Sequence, residues 1–128
     1  MIESTVTPTG TNFRAIGKVR QHEIYFDEPE DKGGGDTAPT PAEMICTALA
    51  ACTTITLQMY LQHKGWNVEV KSVHVAYATI DGVGTFQREV ILDGATAEQL
   101  PRITAVANSC PVHKLLSKEN AIQTEIKN

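Results

Sequence analysis

The sequence has no excess of basic charge: 11 Lys and Arg stand against 15 Asp and Glu, for a formal net charge of −4. A protein that neutralises phosphates needs a basic face, so the composition argues against a nucleic-acid partner. The opening "MIESTVTPTG" lacks the basic and apolar regions of a signal peptide, which leads to the expectation of a cytoplasmic protein. Thiols stay reduced in that compartment. The three cysteines therefore read as reactive, metal-binding or core residues rather than as a disulfide framework. Internal repeats and low-complexity segments are also missing. Gly33, Gly34 and Gly35 stand in a row, but no Gly-Lys-Ser/Thr follows, so the run reads as a surface loop and not a phosphate cradle.

Charge is absent altogether from Met44 to Gln62, a run approaching the length of a membrane span. Yet the run carries Thr47, Thr53, Thr54, Thr56, Gln58 and Gln62, and no basic flank orients it. A helix that is neutral nearly all round also suits the centre of a soluble protein. We expect no membrane partner, and a single domain spanning 1–128.

What is present reads as strands, a long helix, strands, helices and a strand. "NFRAIGKV" and "HEIYFDE" carry the β-branched and aromatic residues of two antiparallel strands, with an earlier one near "ESTVT". After a Pro/Gly/Asp loop, Thr40, Pro41 and Glu43 make an N-cap, a first-turn proline and a Thr-x-x-Glu capping box. The helix they open should run to about Lys64 and stop at Gly65. "NVEVKSVHVAYATI" and "FQREVILDG" form a second hairpin, with a bulge near Lys71–Ser72 and with Phe86, Arg88 and Val90 on one face. A second capping box, Thr96 to Gln99, opens a helix to about Asn108. Pro111 starts a short one over "PVHKLLSK", and the tail "AIQTEIK" alternates as a final strand. Segregated elements of this kind predict an α+β fold with antiparallel sheets.

Two thiols stand out by position. Cys110 precedes Pro111, at a helix N-cap, where free N–H groups and the helix dipole favour a thiolate. Cys52 lies mid-helix and needs activation from elsewhere. Cys46 and Cys52 are separated along one helix by a rise of about 9 Å and face different sides, beyond disulfide reach. If the chain holds a redox pair, Cys52–Cys110 is the permissive choice. Cys46 reads as a core residue. His113 makes a partial Cys-x-x-His site with Cys110, but the further ligands that zinc requires have no match in spacing.

The segment "IYFDEPEDKGGGDTAPTPAEMICTALAACTTITLQMYLQHKGW" followed by "CPVHKLL" resembles the OsmC/Ohr family, the osmotically inducible and organic-hydroperoxide-resistance proteins. The resemblance runs from about His22 to the C-terminus and lies closest to the OsmC-like branch. It implies an OsmC/Ohr-like α+β fold, with antiparallel sheets wrapped around two long central helices in an intertwined homodimer. It also implies a cofactor-free thiol peroxidase acting on organic hydroperoxides or hydrogen peroxide. By that analogy Cys52 attacks the peroxide and becomes a sulfenic acid, Cys110 resolves it to a disulfide, and an external dithiol reduces the pair. The family also places an Arg and a Glu around the first thiol. Among Arg14, Arg20 and Arg88, Arg20 ranks first because it precedes the "QHEIYF" strand. Glu43 is the carboxylate candidate. It stands about two and a half helical turns before Cys52, and so on the opposite side, which favours its capping role. The competing expectations are a non-enzymatic protein that binds a small apolar ligand and a thiol redox sensor.

Overall fold

The alternating N-terminal segments form a three-stranded antiparallel sheet, β1 (Thr5–Pro8), β2 (Ala15–Val19) and β3 (His22–Phe26), in that order. The computed structural model describes residues 1–128, and this sheet belongs to the first of two compact units, Met1–Ile45 and Cys46–Asn128. β2 and β3 pair with Val19 opposite His22, leaving Arg20 in the connecting turn with φ of 54°. A positive φ is uncommon away from glycine, and a two-residue hairpin turn is where it is needed.

The loop after β3 is organised by one buried carboxylate. Asp27 accepts from the backbone N–H groups of Glu28 at 2.8 Å, Gly35 at 3.5 Å and Thr37 at 3.0 Å, and from the Thr37 hydroxyl at 2.6 Å. Its own N–H donates to the Pro39 carbonyl. Gly34 is required there because a Cβ would run into the Glu28 carbonyl. Arg14 closes the arrangement from β2's side: its Nε donates to Thr37 Oγ1 at 3.0 Å, and its guanidinium lies 4.3 Å from the centre of the Tyr25 ring. Arg14 is thereby committed to loop structure.

The long helix α1 (Pro41–Lys64) begins at the expected capping box. Thr40 N–H donates to Glu43 Oε1 at 2.8 Å, and Glu43 N–H donates to Thr40 Oγ1 at 3.2 Å. It ends at Gly65, with φ of 67°. By length and mean hydropathy, 1.5, this helix could cross a membrane. Its buried residues are Leu49, Thr53, Leu57 and Leu61, one stripe at four-residue spacing.

In the second unit that stripe meets a hairpin and a helix. β4 (Glu69–Ile80) and β5 (Val83–Asp93) pair antiparallel through an Asp81–Gly82 turn, with the expected irregularity between Val70 and Ser72. Helix α2 is Leu100–Ala107 and α3 is Pro111–Leu116. Leu57, Leu61, Ile103 and Ala107 form the core, with Val68, Val70, Val90, Leu92 and Trp66 packed against it. The second capping box exists, Gln99 N–H donating to Thr96 Oγ1 and Thr96 N–H to Gln99 Oε1, but residues 97–99 form a turn and α2 starts at Leu100.

The expected final strand is corrected: "AIQTEIK" pairs with no strand, and Ile122 and Ile126 are about nine-tenths exposed. An alternating pattern becomes a strand only against an edge that satisfies its backbone.

The Thr37 hydroxyl, the Thr37, Glu28 and Gly35 N–H groups together outweigh burial and lower the Asp27 pKa from 3.8 to about 2. A depressed carboxylate pKa stabilises the fold above the unfolded value and loses that contribution as pH falls through the folded one. Asp27→Asn is therefore expected to unfold at lower denaturant than the parent above pH 4. The gap between the two midpoints should shrink as pH is lowered to about 2.

Candidate active site

Three elements of the second unit bring chemistry to one place. The Cys110–Pro111 step starts α3, with Cys110 as its N-cap and extended backbone (φ −63°, ψ 144°). Its Sγ accepts from the His113 N–H at 3.4 Å and lies 3.7 Å from Thr53 Oγ1. Cys110 is completely buried, and so is Thr53. Cys52, next to Thr53 on α1, is half-buried, and its side chain is among the groups that lower the pKa of the Cys110 thiol. Both sulfurs are free thiols. Cys46 takes no part in this cluster.

β5 supplies the charge. Phe86, Arg88, Val90 and Leu92 share its more buried face, so the strand alternation turns a guanidinium inward among apolar neighbours. Arg88 Nη1 donates to Thr53 Oγ1 at 3.0 Å. Its Nη2 donates to Asn108 Oδ1 at 2.9 Å and lies 3.1 Å from His113 Nδ1. Arginine has no acceptor, so in the hydrogen bond with His113 the ring Nδ1 is the acceptor. None of the three partners of Arg88 is a carboxylate. The guanidinium keeps its full positive charge beside the thiols.

The electrostatic result is visible at Cys110. Burial pushes its thiol up, but the His113 N–H, the Thr53 hydroxyl, the Cys52 thiol and the Arg88 charge together bring it below the ordinary thiol value. Donors aimed at a sulfur favour its anionic form. Beside the cluster, Arg88 and His113 reach the wall of a cavity of about 400 Å³, otherwise lined mainly by Leu49, Val83, Phe86 and Leu116.

The other expected residues lie in the first unit. Arg20 is exposed, and its guanidinium makes no hydrogen bond or ion pair. Glu43 is engaged in the capping box, where the Thr40 N–H, followed by the Thr40 hydroxyl, lowers its pKa. Arg88 was legible only in phase: the alternation set it with Phe86 and Val90, and a cation on an inward face is the signal that marks it. The contributions of Thr53 and Asn108 had no signal in the sequence, because a lone Thr in a helix and an Asn at a helix end are ordinary.

The model of the family described as OsmC-like protein matches residues 33–127, most of the chain. The chain belongs to the OsmC-like family. Solved structures carry the same fold. An OsmC-like protein of Mycoplasma pneumoniae superposes with a TM-score of 0.66 at 18% identity, covering 91% of this chain and 86% of that one. For the organic hydroperoxide resistance protein OhrB of Bacillus subtilis the values are 0.59, 15%, 91% and 90%. A Psychrobacter arcticus protein named for osmotic-stress induction and a detoxification response gives 0.71, 21%, 90% and 88%. None of the curated proteins matches the chain in sequence. The OsmC-like α+β architecture expected from the resemblance is thus the one observed, with one long helix, α1, in the chain.

Removing the guanidinium leaves Thr53, Asn108 and His113 without their donor. Each net hydrogen bond is worth about 0.5–1.5 kcal/mol, and partial exposure of Arg88 lets water replace some of it. Arg88→Ala should cost about 1–2 kcal/mol in urea unfolding, and Arg20→Ala should leave the unfolding midpoint near that of the parent.

Proposed function

We propose that this OsmC-like chain is a thiol-dependent peroxidase that reduces organic hydroperoxides or hydrogen peroxide. The observation that carries the reading is the convergence of α1, through Cys52 and Thr53, with Cys110 at the start of α3, backed by an arginine with no carboxylate partner. The Cys52 thiolate attacks the terminal oxygen of the peroxide. An S–O bond forms, the O–O bond breaks, and the alkoxide leaves and takes a proton to give the alcohol. Cys110 then attacks the sulfenic sulfur, so that an S–S bond forms and hydroxide departs as water. An external dithiol restores both thiols by exchange, and no cofactor enters. The half-buried Cys52 suits the residue that meets substrate, and the buried, thiolate-leaning Cys110 suits the one that waits. We assign the activating charge to Arg88 in place of Arg20, and to Glu43 the helix cap. The apolar walls of the adjoining cavity suit an alkyl or aryl hydroperoxide, and hydroperoxide resistance is the named property of the Bacillus subtilis relative in fold. Chemistry that returns to free thiols suits a reducing, cytoplasmic setting.

The functional form we propose is a homodimer. Opposite the buried stripe of α1 runs a second apolar one, in which Ile55 is 51% and Met59 68% exposed and which includes Ala48 and Cys52. A neutral stripe on the long helix is stable in water when a second copy covers it, and self-complementary pairing is the commonest solution.

One equivalent of cumene hydroperoxide added to the reduced protein should yield a Cys52–Cys110 disulfide by peptide mass mapping, and Cys52→Ser should abolish peroxide consumption. Thiols left unchanged by the peroxide would remove the enzyme reading. Sedimentation should give a dimer for the parent and a monomer for Ile55→Asp; a monomeric parent contradicts the assembly.

A further inference from the structure

The hydrogen bonds around Thr53 fit one protonation state of Cys110 and not the other. A threonine hydroxyl has one proton to give and two lone pairs with which to accept. Thr53 Oγ1 donates to the Leu49 carbonyl at 2.8 Å, accepts from Arg88 Nη1 at 3.0 Å, and lies 3.7 Å from Cys110 Sγ. While Cys110 is a neutral thiol these contacts are mutually consistent, with the S–H donating to the hydroxyl oxygen. Once Cys110 is a thiolate it can only accept. The hydroxyl must then turn its proton from the Leu49 carbonyl to the sulfur. That carbonyl lies inside α1 and keeps its backbone donor four residues on, so it is not orphaned by the turn. Arg88 continues to donate to the same oxygen in either state and polarises the O–H toward whatever accepts it.

We propose that Thr53 is the positioning residue that couples Arg88 to Cys110, its single hydroxyl proton turning from the Leu49 carbonyl to the Cys110 sulfur when that sulfur ionises. Asn108 Oδ1 and His113 Nδ1 hold Arg88 in the plane that this requires. His113 acts from both of its ends, since its backbone N–H donates to the same sulfur. The proton released by Cys110 passes to solvent. In the reaction proposed above, on which this role rests, the consequence falls on the second half: the lone pair of the Cys110 thiolate forms the S–S bond as the Cys52 S–O bond breaks. Thr53 therefore governs resolution of the sulfenic acid.

The test separates this role from the peroxidase reading. In a Cys46→Ala/Cys52→Ser background Cys110 is the only thiol, and the serine hydroxyl keeps a donor beside it. Thiolate ultraviolet absorbance is followed across pH with no peroxide present. Thr53→Val should lower the thiolate population at neutral pH about tenfold, the scale of one charge-assisted hydrogen bond, and Thr53→Ser should restore it. Arg88→Met should act in the same direction, and the double variant should fall short of the product of the two effects, as coupled residues do. With Cys52 present, the sulfenic acid should persist longer in Thr53→Val, read by dimedone trapping. If Thr53→Val fails to fold, Thr53→Ala carries the same comparison. A parental titration curve in the valine variant, or independent multiplication of the two effects, overturns the proposal. A shifted curve in a protein that ignores peroxides upholds Thr53 and removes only the peroxidase.

Discussion

A guanidinium on the apolar face of β5 is the constraint around which the second unit is arranged. Burying even part of a cation is costly unless its donors are satisfied. Arg88 meets that demand with three groups from three different places: Thr53 on α1, Asn108 at the end of α2 and His113 on α3. Each partner therefore fixes the position of one helix relative to the hairpin. A carboxylate could have satisfied Arg88 more simply, but it would have cancelled the charge. Acceptors without a negative charge satisfy the hydrogen bonds and leave the guanidinium charge uncancelled. The Arg88 charge is among the influences that favour the Cys110 thiolate.

The core explains why the arrangement is stable without an ion pair. Leu57, Leu61, Ile103 and Ala107 form a continuous apolar contact immediately beyond the cluster, with Val90 and Leu92 of the same strand packed against it. Arg88 and these valine and leucine positions share one face of β5, so the residues that set the helix–hairpin packing also set the aim of the guanidinium. In the first unit the balance is different. There a carboxylate, Asp27, is satisfied by backbone N–H groups and a hydroxyl, and its charge organises a loop.

What could be read from the chain follows the range of the interaction involved. α1 was legible from end to end, because its capping box and its Gly65 stop are local and self-sufficient. The β4–β5 hairpin and its irregularity were legible for the same reason: period-two alternation on both strands, joined by Asp-Gly, specifies its own partner. The "AIQTEIK" tail has the same alternation but nothing local to pair with, and it is not a strand. At the site, Cys110 was legible from Pro111 alone. Arg88 is visible in the sequence as one of three candidate arginines, in phase with Phe86 and Val90, but its partners come from residues distant in sequence, and no local pattern announces them.

The two stripes of α1 place the thiols in different surroundings for one physical reason. Thr53, on the stripe with Leu49, Leu57 and Leu61, faces the unit's own interior, and through it the helix reaches Cys110 and Arg88. Cys52 is the adjacent residue, and one helical step of about 100° carries it toward the stripe of Ile55 and Met59, which the unit leaves uncovered. A residue on that boundary has the Cys110 cluster on one side and the uncovered stripe on the other. The run from Met44 to Gln62 carries no charge, so the cation of this cluster comes from β5 and not from α1 itself.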